Sequence, residues 1–265
     1  MNKINITKNS IQALIVDMDG VLWRGTEAIG DLKSIFTQIN QIGWKVIFAT
    51  NNASRTIKQY IELLSSFGVE AEAGQIISSA TAAITYLRNK FPKGGPVYVI
   101  GEQGLIESCA ENGFNQSESN ALAVVAGIDR NLTYDKLKVA TLLIRSGVPF
   151  IGTNPDRTFP TPQGLIPGAG SILAALTAAS DVSPIIMGKP EPTMYQIALE
   201  RLQLLAENVL VVGDRPETDI VGAQIIGCRT ALVLSGVTNA DQANAWQPAP
   251  DIITEDLESL ISTDW

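Results

Sequence analysis

Two aspartates lie two positions apart at the end of an apolar run near the start of the chain. The run ALIVD covers residues 13–17 and ends at Asp17, and Asp19 and Gly20 follow it. In an extended segment alternate side chains project to the same side, so Asp17 and Asp19 are expected to face one space. One carboxylate could then attack phosphorus while the other handles the proton of the leaving group. Gly20 would allow a sharp turn and expose main-chain N–H groups to a phosphate.

Three further apolar runs also end in polar or charged residues. They are WKVIFAT at 44–50, PIIMGK at 184–189 and NVLVVGD at 208–214. The residues at or just beyond their ends are Thr50, Asn51, Asn52, Lys189, Asp214 and Asp219. The carboxyl ends of the strands in an open parallel sheet share one edge, and ligands bind there. We therefore predict that these residues meet Asp17 and Asp19 in one catalytic site.

The residue types in this predicted site favour a hard metal ion and an anionic substrate. Clustered carboxylates repel one another, and Mg²⁺ relieves that repulsion with oxygen ligands. The chain has no histidine, and Cys109 and Cys228 lack metal-ligand spacing, so zinc and histidine-based catalysis are disfavoured. Lys189 adds a cation, and Thr50 and Asn51 add neutral donors. This set of groups is typical of phosphoryl transfer, where charge stabilisation dominates.

The elements that must position these residues alternate between apolar runs and helical patterns. The other runs are PVYVIG at 96–101, ALAVVAGI at 121–128, VPFIGT at 148–153 and TALVLS at 230–235. They are continuous and rich in β-branched residues, which is typical of strands buried on both faces. Helical periodicity covers 56–68, 134–147 and 193–205. We predict an α/β fold with mainly parallel strands joined by crossover helices.

Composition limits the partners of the protein. The chain has 265 residues, a net charge of −8 and no basic stripe, so nucleic acid is not an expected partner. No apolar run approaches the roughly 20 residues of a membrane span. The opening MNKINITKNS lacks the apolar core of a signal peptide, and cysteine is scarce. We therefore expect a cytoplasmic protein with no membrane partner.

The motifs resemble those of the haloacid dehalogenase (HAD) superfamily of phosphatases. Its four motifs correspond in order to DMDGV at 17–21, TNN at 50–52, GKP at 188–190 and GDRPETD at 213–219. Further stretches resemble subfamily IIA, the NagD and p-nitrophenylphosphatase-like branch. They are DGVLWRG at 19–25, TNNASRT at 50–56, GIDRNLTYDKL at 127–137, GTNPD at 152–156 and LVLSGVT at 232–238. The resemblance spans nearly the whole chain.

The resemblance implies a role for each motif residue. Asp17 would be the nucleophile and a metal ligand, and Asp19 the general acid and base, with its main-chain carbonyl on the metal. Thr50 and Lys189 would hold the phosphate. The remaining metal residues would be Asp214, a direct ligand, and Asp219, acting through water or through Lys189. The substrate-binding residues would be Gly20, Asn51, Asn52 and Arg215.

The resemblance also implies a doubly wound, mainly parallel Rossmann-like core sheet with an inserted α/β cap domain of type C2. Only a short stretch separates the first motif from the second, so the long insertion must lie between TNN and GKP. We predict a core at 1–80 and 184–265 and a cap at 81–183. GTNPD at 152–156 is expected to be a cap or hinge segment near the substrate.

The predicted function is that of a Mg²⁺-dependent phosphatase that hydrolyses a small phosphorylated metabolite through an aspartyl-phosphate intermediate. The metabolite could be a sugar phosphate, a nucleotide or a similar phosphomonoester. A phosphomutase would carry its lid between the first two motifs, where Gly25 to Trp44 leaves too little room. A receiver module would be a single small domain. A catalytically silent binding protein should have lost Asp17 or Asp19, and both are present. The resemblance is compatible with a homodimer formed through the cap.

Overall fold

Short strands and helices alternate along residues 7–161 and 164–265, the part of the chain that the computed structural model describes. The strands are β1 (Ala13–Val16), β2 (Trp23–Arg24), β3 (Glu27–Ala28), β4 (Lys45–Thr50), β5 (Ile76–Ser78), β6 (Gly95–Ile100), β7 (Phe114–Gln116), β8 (Val124–Ala126), β9 (Phe150–Gly152), β10 (Thr158–Thr161), β11 (Gly164–Pro167), β12 (Ile185–Ile186), β13 (Val209–Gly213), β14 (Arg229–Val233) and β15 (Ile252–Thr254). The α-helices are α1 (Leu32–Ile42), α2 (Ile57–Ser66), α3 (Ser79–Lys90), α4 (Gln103–Glu111), α5 (Tyr134–Arg145), α6 (Ala169–Ser180), α7 (Thr193–Leu202), α8 (Val221–Ile225), α9 (Ala240–Ala245) and α10 (Leu257–Ser262). The predicted α/β class is confirmed.

The chain divides into two compact units. The first consists of Met1–Thr50, Ile61–Ile77 and Tyr195–Trp265, and the second of Asn51–Tyr60 and Ser78–Met194. The division into a core at 1–80 and 184–265 and a cap at 81–183 stays a prediction. Its portions at 1–6 and 162–163 lie outside the described residues.

The main sheet of the first unit has the strand order β15-β14-β13-β1-β4-β5. β1 lies between β13 and β4 and runs parallel to both, with Val16 opposite Val212 and Phe48. Every residue of β1 is buried, as its continuous apolar pattern predicts. The carboxyl ends of three neighbouring strands therefore lie side by side. This arrangement brings Asp17, Thr50 and Asp214, which lie at or next to these strand ends, to one edge of the sheet.

The second unit is built on another sheet, with the order β12-β9-β8-β6-β7 and parallel pairing along its described ladders. Its core includes Phe150, Leu173 and Leu176. β10 and β11 form a separate antiparallel hairpin. The expectation that all four motif-bearing strands lie in one sheet is wrong, because β12, which precedes Lys189, pairs with β9. An apolar run indicates that a strand is buried, but it does not say which strand it pairs with.

The connection between the first motif and β4 is short and ordered. β2 and β3 form a two-stranded antiparallel hairpin, and α1 follows it. Asp31 caps α1 by accepting a hydrogen bond from Ser34 N (3.2 Å), and Gly43 ends it in a left-handed conformation with φ of 86°. These elements occupy the whole connection, as expected from its length. This hairpin is not predicted from the sequence, and neither are β5, β7, β10, β11 and β15, because these short segments lack the long continuous apolar runs of the predicted strands.

The two cysteines are free and buried, which is typical of structural residues. Cys109 and Cys228 are buried, and burial raises the pKa of each thiol to about 12. Thiols of this kind carry little thiolate near neutral pH and are unreactive. Within the described segments, we find no helix with the length and apolar character that a bilayer crossing needs.

Candidate active site

Three buried aspartates form an acidic cluster in the first unit. Carboxylate oxygens of Asp17, Asp214 and Asp219 all lie within 4.8 Å of one another. Three carboxylates this close repel strongly when ionised, and burial removes the water that would screen them. Their donor set consists of oxygen alone, which suits a hard divalent cation such as Mg²⁺. The residues present therefore fit the metal ion that the sequence predicts.

Local main-chain geometry fixes two members of the cluster. Asp17 directly follows β1, and its N–H continues the sheet by donating to Val212 O (2.9 Å). Asp219 lies in a π-helical turn over Pro216–Ile220, and its Oδ2 accepts a hydrogen bond from Arg215 N (3.0 Å). Arg215, predicted to bind substrate, thus orients Asp219 through its main chain. A side chain at position 213 would overlap Asp219, so only glycine fits there.

Tyr195 and Trp23 each donate a hydrogen bond to an aspartate of the site, and no pattern in the sequence indicates these contacts. Tyr195 Oη donates to the main-chain oxygen of Asp219 (2.9 Å). The indole N–H of Trp23 donates to Asp19 Oδ1 (3.1 Å). This hydrogen bond orients the carboxylate of Asp19.

Gly20 occupies a position that only glycine tolerates. Its φ is +90°, and a Cβ there would lie 2.5 Å from Asp214 Oδ2. Its N–H donates to Trp23 O (2.8 Å), which closes the turn after the aspartate pair. The turn itself is predicted from the sequence, but the close approach to Asp214 depends on the packing of β1 against β13.

The remaining predicted residue of the first unit is Thr50. It is the last residue of β4, the neighbour of β1, and it is only 2% exposed. A buried hydroxyl at this edge can act as a hydrogen-bond donor to a bound anion.

In the second unit, the side-chain amide of Asn51 holds the main chain of Lys189. Asn51 Oδ1 accepts from Lys189 N (2.8 Å), and its Nδ2 donates to Lys189 O (2.9 Å). Lys189 is only 3% exposed. A Cβ at Gly188 would lie 2.5 Å from Asn51 Oδ1, so the preceding glycine permits this close contact. Asn51 belongs to the second motif, so a residue of that motif holds the lysine of the third motif within this unit.

Two family matches cover both ends of the chain. Residues 14–115 match the family described as haloacid dehalogenase-like hydrolase, and residues 186–260 match the one described as HAD-hydrolase-like. The chain is also 37% identical over 251 residues to the 5'-nucleotidase YutF of Bacillus subtilis, an alignment that covers 95% of this chain and 96% of the relative. The chain belongs to the haloacid dehalogenase-like hydrolase family.

Solved structures of HAD-like hydrolases agree with this assignment. A p-nitrophenyl phosphatase from Archaeoglobus fulgidus has a TM-score of 0.89 at 30% identity, covering 95% of this chain and 98% of that one. NagD from Escherichia coli has a TM-score of 0.85 at 30% identity, covering 93% and 97%. A glycerol phosphate phosphatase from Mycobacterium tuberculosis in complex with magnesium has a TM-score of 0.87 at 34% identity, covering 95% and 76%. The prediction of a phosphoric monoester hydrolase of the HAD superfamily, NagD-like branch, is confirmed.

The GTNPD segment of this HAD-like hydrolase contacts Asn51 directly. Asn154 Nδ2 donates to Asn51 O (2.7 Å), and Asp156 Oδ2 accepts from Asn51 Nδ2 (3.2 Å). Thr153 O accepts from Gly188 N (2.7 Å). The sequence motif predicts a segment near the substrate, but it carries no signal for the hydrogen-bond partners of its individual residues.

Two other contacts shape the second motif. Asn52 Oδ1 accepts hydrogen bonds from both Ser54 N (3.0 Å) and Ser54 Oγ (2.7 Å), so it forms a local turn. Ser79 Oγ donates to Asn51 O (2.6 Å), a contact that the sequence does not indicate. The role of Asn52 in binding phosphate stays a prediction.

Proposed function

We propose that this HAD-like hydrolase removes phosphate from small phosphomonoesters by a Mg²⁺-dependent mechanism with an aspartyl-phosphate intermediate. The observation that carries the proposal is the buried cluster of Asp17, Asp214 and Asp219. These carboxylates, with the main-chain carbonyl of Asp19, would hold the ion. When bound, Mg²⁺ supplies positive charge that offsets the carboxylates and the phosphate oxygens.

Asp17 and Asp19 divide the chemistry between them in this proposal. Asp17 attacks phosphorus, and the bond from phosphorus to the leaving oxygen breaks as that oxygen takes a proton from Asp19. Asp19 then accepts a proton from a water molecule, which attacks phosphorus and releases inorganic phosphate and free Asp17. The hydrogen bond from Trp23 to Asp19 Oδ1 supports this assignment, because it orients the carboxyl group.

The other predicted residues would bind and neutralise the phosphoryl group. Lys189 supplies a fixed positive charge, and Thr50 supplies a donor to the phosphate oxygens. Gly20 would contribute through the turn that it allows, because its own N–H is bonded to Trp23 O. Asn51 would act mainly by holding the main chain of Lys189. Asn52 and Arg215 complete the proposed substrate-binding set.

The proposed substrate is a small phosphorylated metabolite. The relatives are named as a 5'-nucleotidase, an acid sugar phosphatase and a glycerol phosphate phosphatase, so nucleotides, sugar phosphates and glycerol phosphate are the first to test. Residues 81–183 would act as a cap that excludes water and contacts the leaving group. A homodimer and a cytoplasmic location remain predictions.

The proposal is tested by phosphate release from p-nitrophenyl phosphate and from a panel of these metabolites. We expect phosphate release in the presence of Mg²⁺. Chelation should abolish it, and an excess of Mg²⁺ should restore it. The metabolite with the highest kcat/KM would identify the substrate class. Equal release with and without chelator would contradict the metal requirement, and a folded protein inactive on every compound would contradict the phosphatase assignment.

Asn51→Ala is expected to lower kcat/KM about 10- to 100-fold, because Lys189 loses the two hydrogen bonds that hold its peptide groups. Asn51→Asp should be at least as harmful, since a carboxylate would then face Lys189 O and Asp156 instead of donating to them. Steady-state kinetics on p-nitrophenyl phosphate measures both effects.

Asn208→Ala is a matched control for this prediction. The Asn208 amide also donates to a main-chain oxygen, that of Ser10 (3.0 Å), but it lies in the first unit, before β13. Its kinetics should match those of the wild type. If Asn51→Ala and Asn208→Ala behave alike, Asn51 has no positioning role.

A further inference from the structure

The segment Leu234–Thr238, here called the LSGVT loop, directly follows β14 and wraps around Asp214. Thr238 Oγ1 donates to Asp214 O (2.6 Å), and Val237 N donates to Asp214 Oδ2 (2.8 Å). A Cβ on Gly236 would overlap the Asp214 carboxylate, so the loop lies directly against it. Both the main chain and the carboxylate of Asp214 are therefore held by one short loop.

The same loop is bonded to the turn that follows Asp17. Ser235 Oγ donates to Gly20 O (2.8 Å). Ser235 O in turn accepts from Arg24 Nε (2.8 Å) and Nη2 (2.5 Å), which fixes the loop against the β2 strand. The LSGVT loop thus connects two segments of the acidic cluster that are about 190 residues apart in the chain.

These contacts bear on the energetics of metal binding. Ionised carboxylates within 4.8 Å repel one another, so without restraint their side chains would turn apart. A hydrogen bond to one oxygen of a carboxylate limits its rotation, and a hydrogen bond to its main chain limits its translation. Residues that orient metal ligands in this way typically change metal affinity 10- to 100-fold when they are removed.

We propose that the LSGVT loop preorganises the metal site and that Thr238 is its principal positioning residue. This inference rests on the proposed function, because it assumes that Asp17, Asp214 and Asp219 bind Mg²⁺. Thr238 contributes through its hydroxyl group, which is buried and donates to the main chain of Asp214. Ser235 contributes more weakly, since it acts on Gly20 and not on a ligand.

The test is isothermal titration of Mg²⁺ into the substrate-free protein, which reports metal affinity without relying on turnover. Thr238→Val keeps the shape of the side chain but removes the donor, and it is expected to weaken Mg²⁺ binding about tenfold or more. Thr238→Ser keeps the hydroxyl and should bind within about twofold of the wild type. Ser235→Ala should weaken binding about threefold, and it serves as the second variant if Thr238→Val does not fold.

Thr230→Val is the matched control. Thr230 is also a buried threonine, and its hydroxyl donates to Asp251 Oδ2 (3.0 Å), near the start of β14 and away from the cluster. Loss of this hydroxyl group in Thr230→Val should lower thermal stability and leave Mg²⁺ affinity unchanged. Equal weakening by Thr230→Val and Thr238→Val would overturn the inference, because a general loss of stability would then explain both.

Two further outcomes separate this inference from the proposed function. If the wild type binds Mg²⁺, Asp214→Asn abolishes binding and Thr238→Val binds normally, the metal site stands and the inference is overturned. If the folded wild type does not bind Mg²⁺, the metal site of the proposed function is overturned and the inference with it. If Thr238→Val weakens Mg²⁺ binding and Thr238→Ser binds Mg²⁺ like the wild type, both the metal site and the inference are supported.

Discussion

Asp17→Asn is expected to abolish phosphate release while leaving the protein folded and at least as stable as the wild type in the absence of metal. The amide cannot act as the nucleophile, so kcat should fall by about 10⁴-fold or more. The same change removes one of three negative charges that lie within 4.8 Å of one another. Relief of their repulsion should raise the melting temperature of the metal-free protein. A phosphate-release assay and thermal unfolding after chelation measure the two effects.

The opposite signs of these effects distinguish a functional carboxylate from a structural one. Asp251→Asn is the control, because Asp251 Oδ2 accepts hydrogen bonds from Thr230 N (2.8 Å) and Thr230 Oγ1 (3.0 Å). That variant should keep its activity and lose stability. Activity of Asp17→Asn within about tenfold of the wild type would contradict the role of Asp17 as nucleophile.

Gly20→Ala is expected to lower kcat/KM by at least about 100-fold and to weaken Mg²⁺ binding. An alanine Cβ would lie 2.5 Å from Asp214 Oδ2, so either the turn or the carboxylate must move. The residue would also be held at φ of +90°, which costs an L-residue about 1–2 kcal/mol. Kinetics at increasing Mg²⁺ concentration would show a higher requirement for the ion.

Gly25→Ala separates the effect of backbone strain at a positive φ from the effect of the close approach to Asp214. Gly25 also has a positive φ, +63°, but a Cβ there meets nothing within 4 Å. This variant should lose about 1 kcal/mol of stability and keep wild-type kinetics. If Gly20→Ala is no more damaging to kcat/KM than Gly25→Ala, the close approach to Asp214 has no functional importance.

Part of the architecture is readable from local sequence. The apolar runs that end at Asp17, Thr50 and Asp214 predict strands that the structure contains, at Ala13–Val16, Lys45–Thr50 and Val209–Gly213. The helical patterns at 56–68, 134–147 and 193–205 correspond to α2, α5 and α7, with shorter ends. These elements can be predicted from the sequence because buried positions recur along a strand or a helix with a fixed local period.

The hydrogen bonds around the site could not be predicted from local sequence patterns. Trp23 and Tyr195 are large aromatic residues of a type that usually packs in a core, yet each donates a hydrogen bond to an aspartate of the site. The Asn51–Lys189 contact joins residues 138 positions apart in the chain. No local pattern specifies which distant atom such a side chain will meet.

The sequence by itself determined the α/β class, the order of the motifs and the residue types available for chemistry, because these depend on local pattern and on the strand that each motif follows. Only the tertiary structure decided that β12 pairs with β9, and that the carboxylates of Asp17, Asp214 and Asp219 converge while that of Asp19 bonds to Trp23. It also decided that the LSGVT loop contacts both Gly20 and Asp214. The physical reason is that strand pairing and side-chain hydrogen bonds are formed between segments far apart in the chain, so their geometry is set by packing.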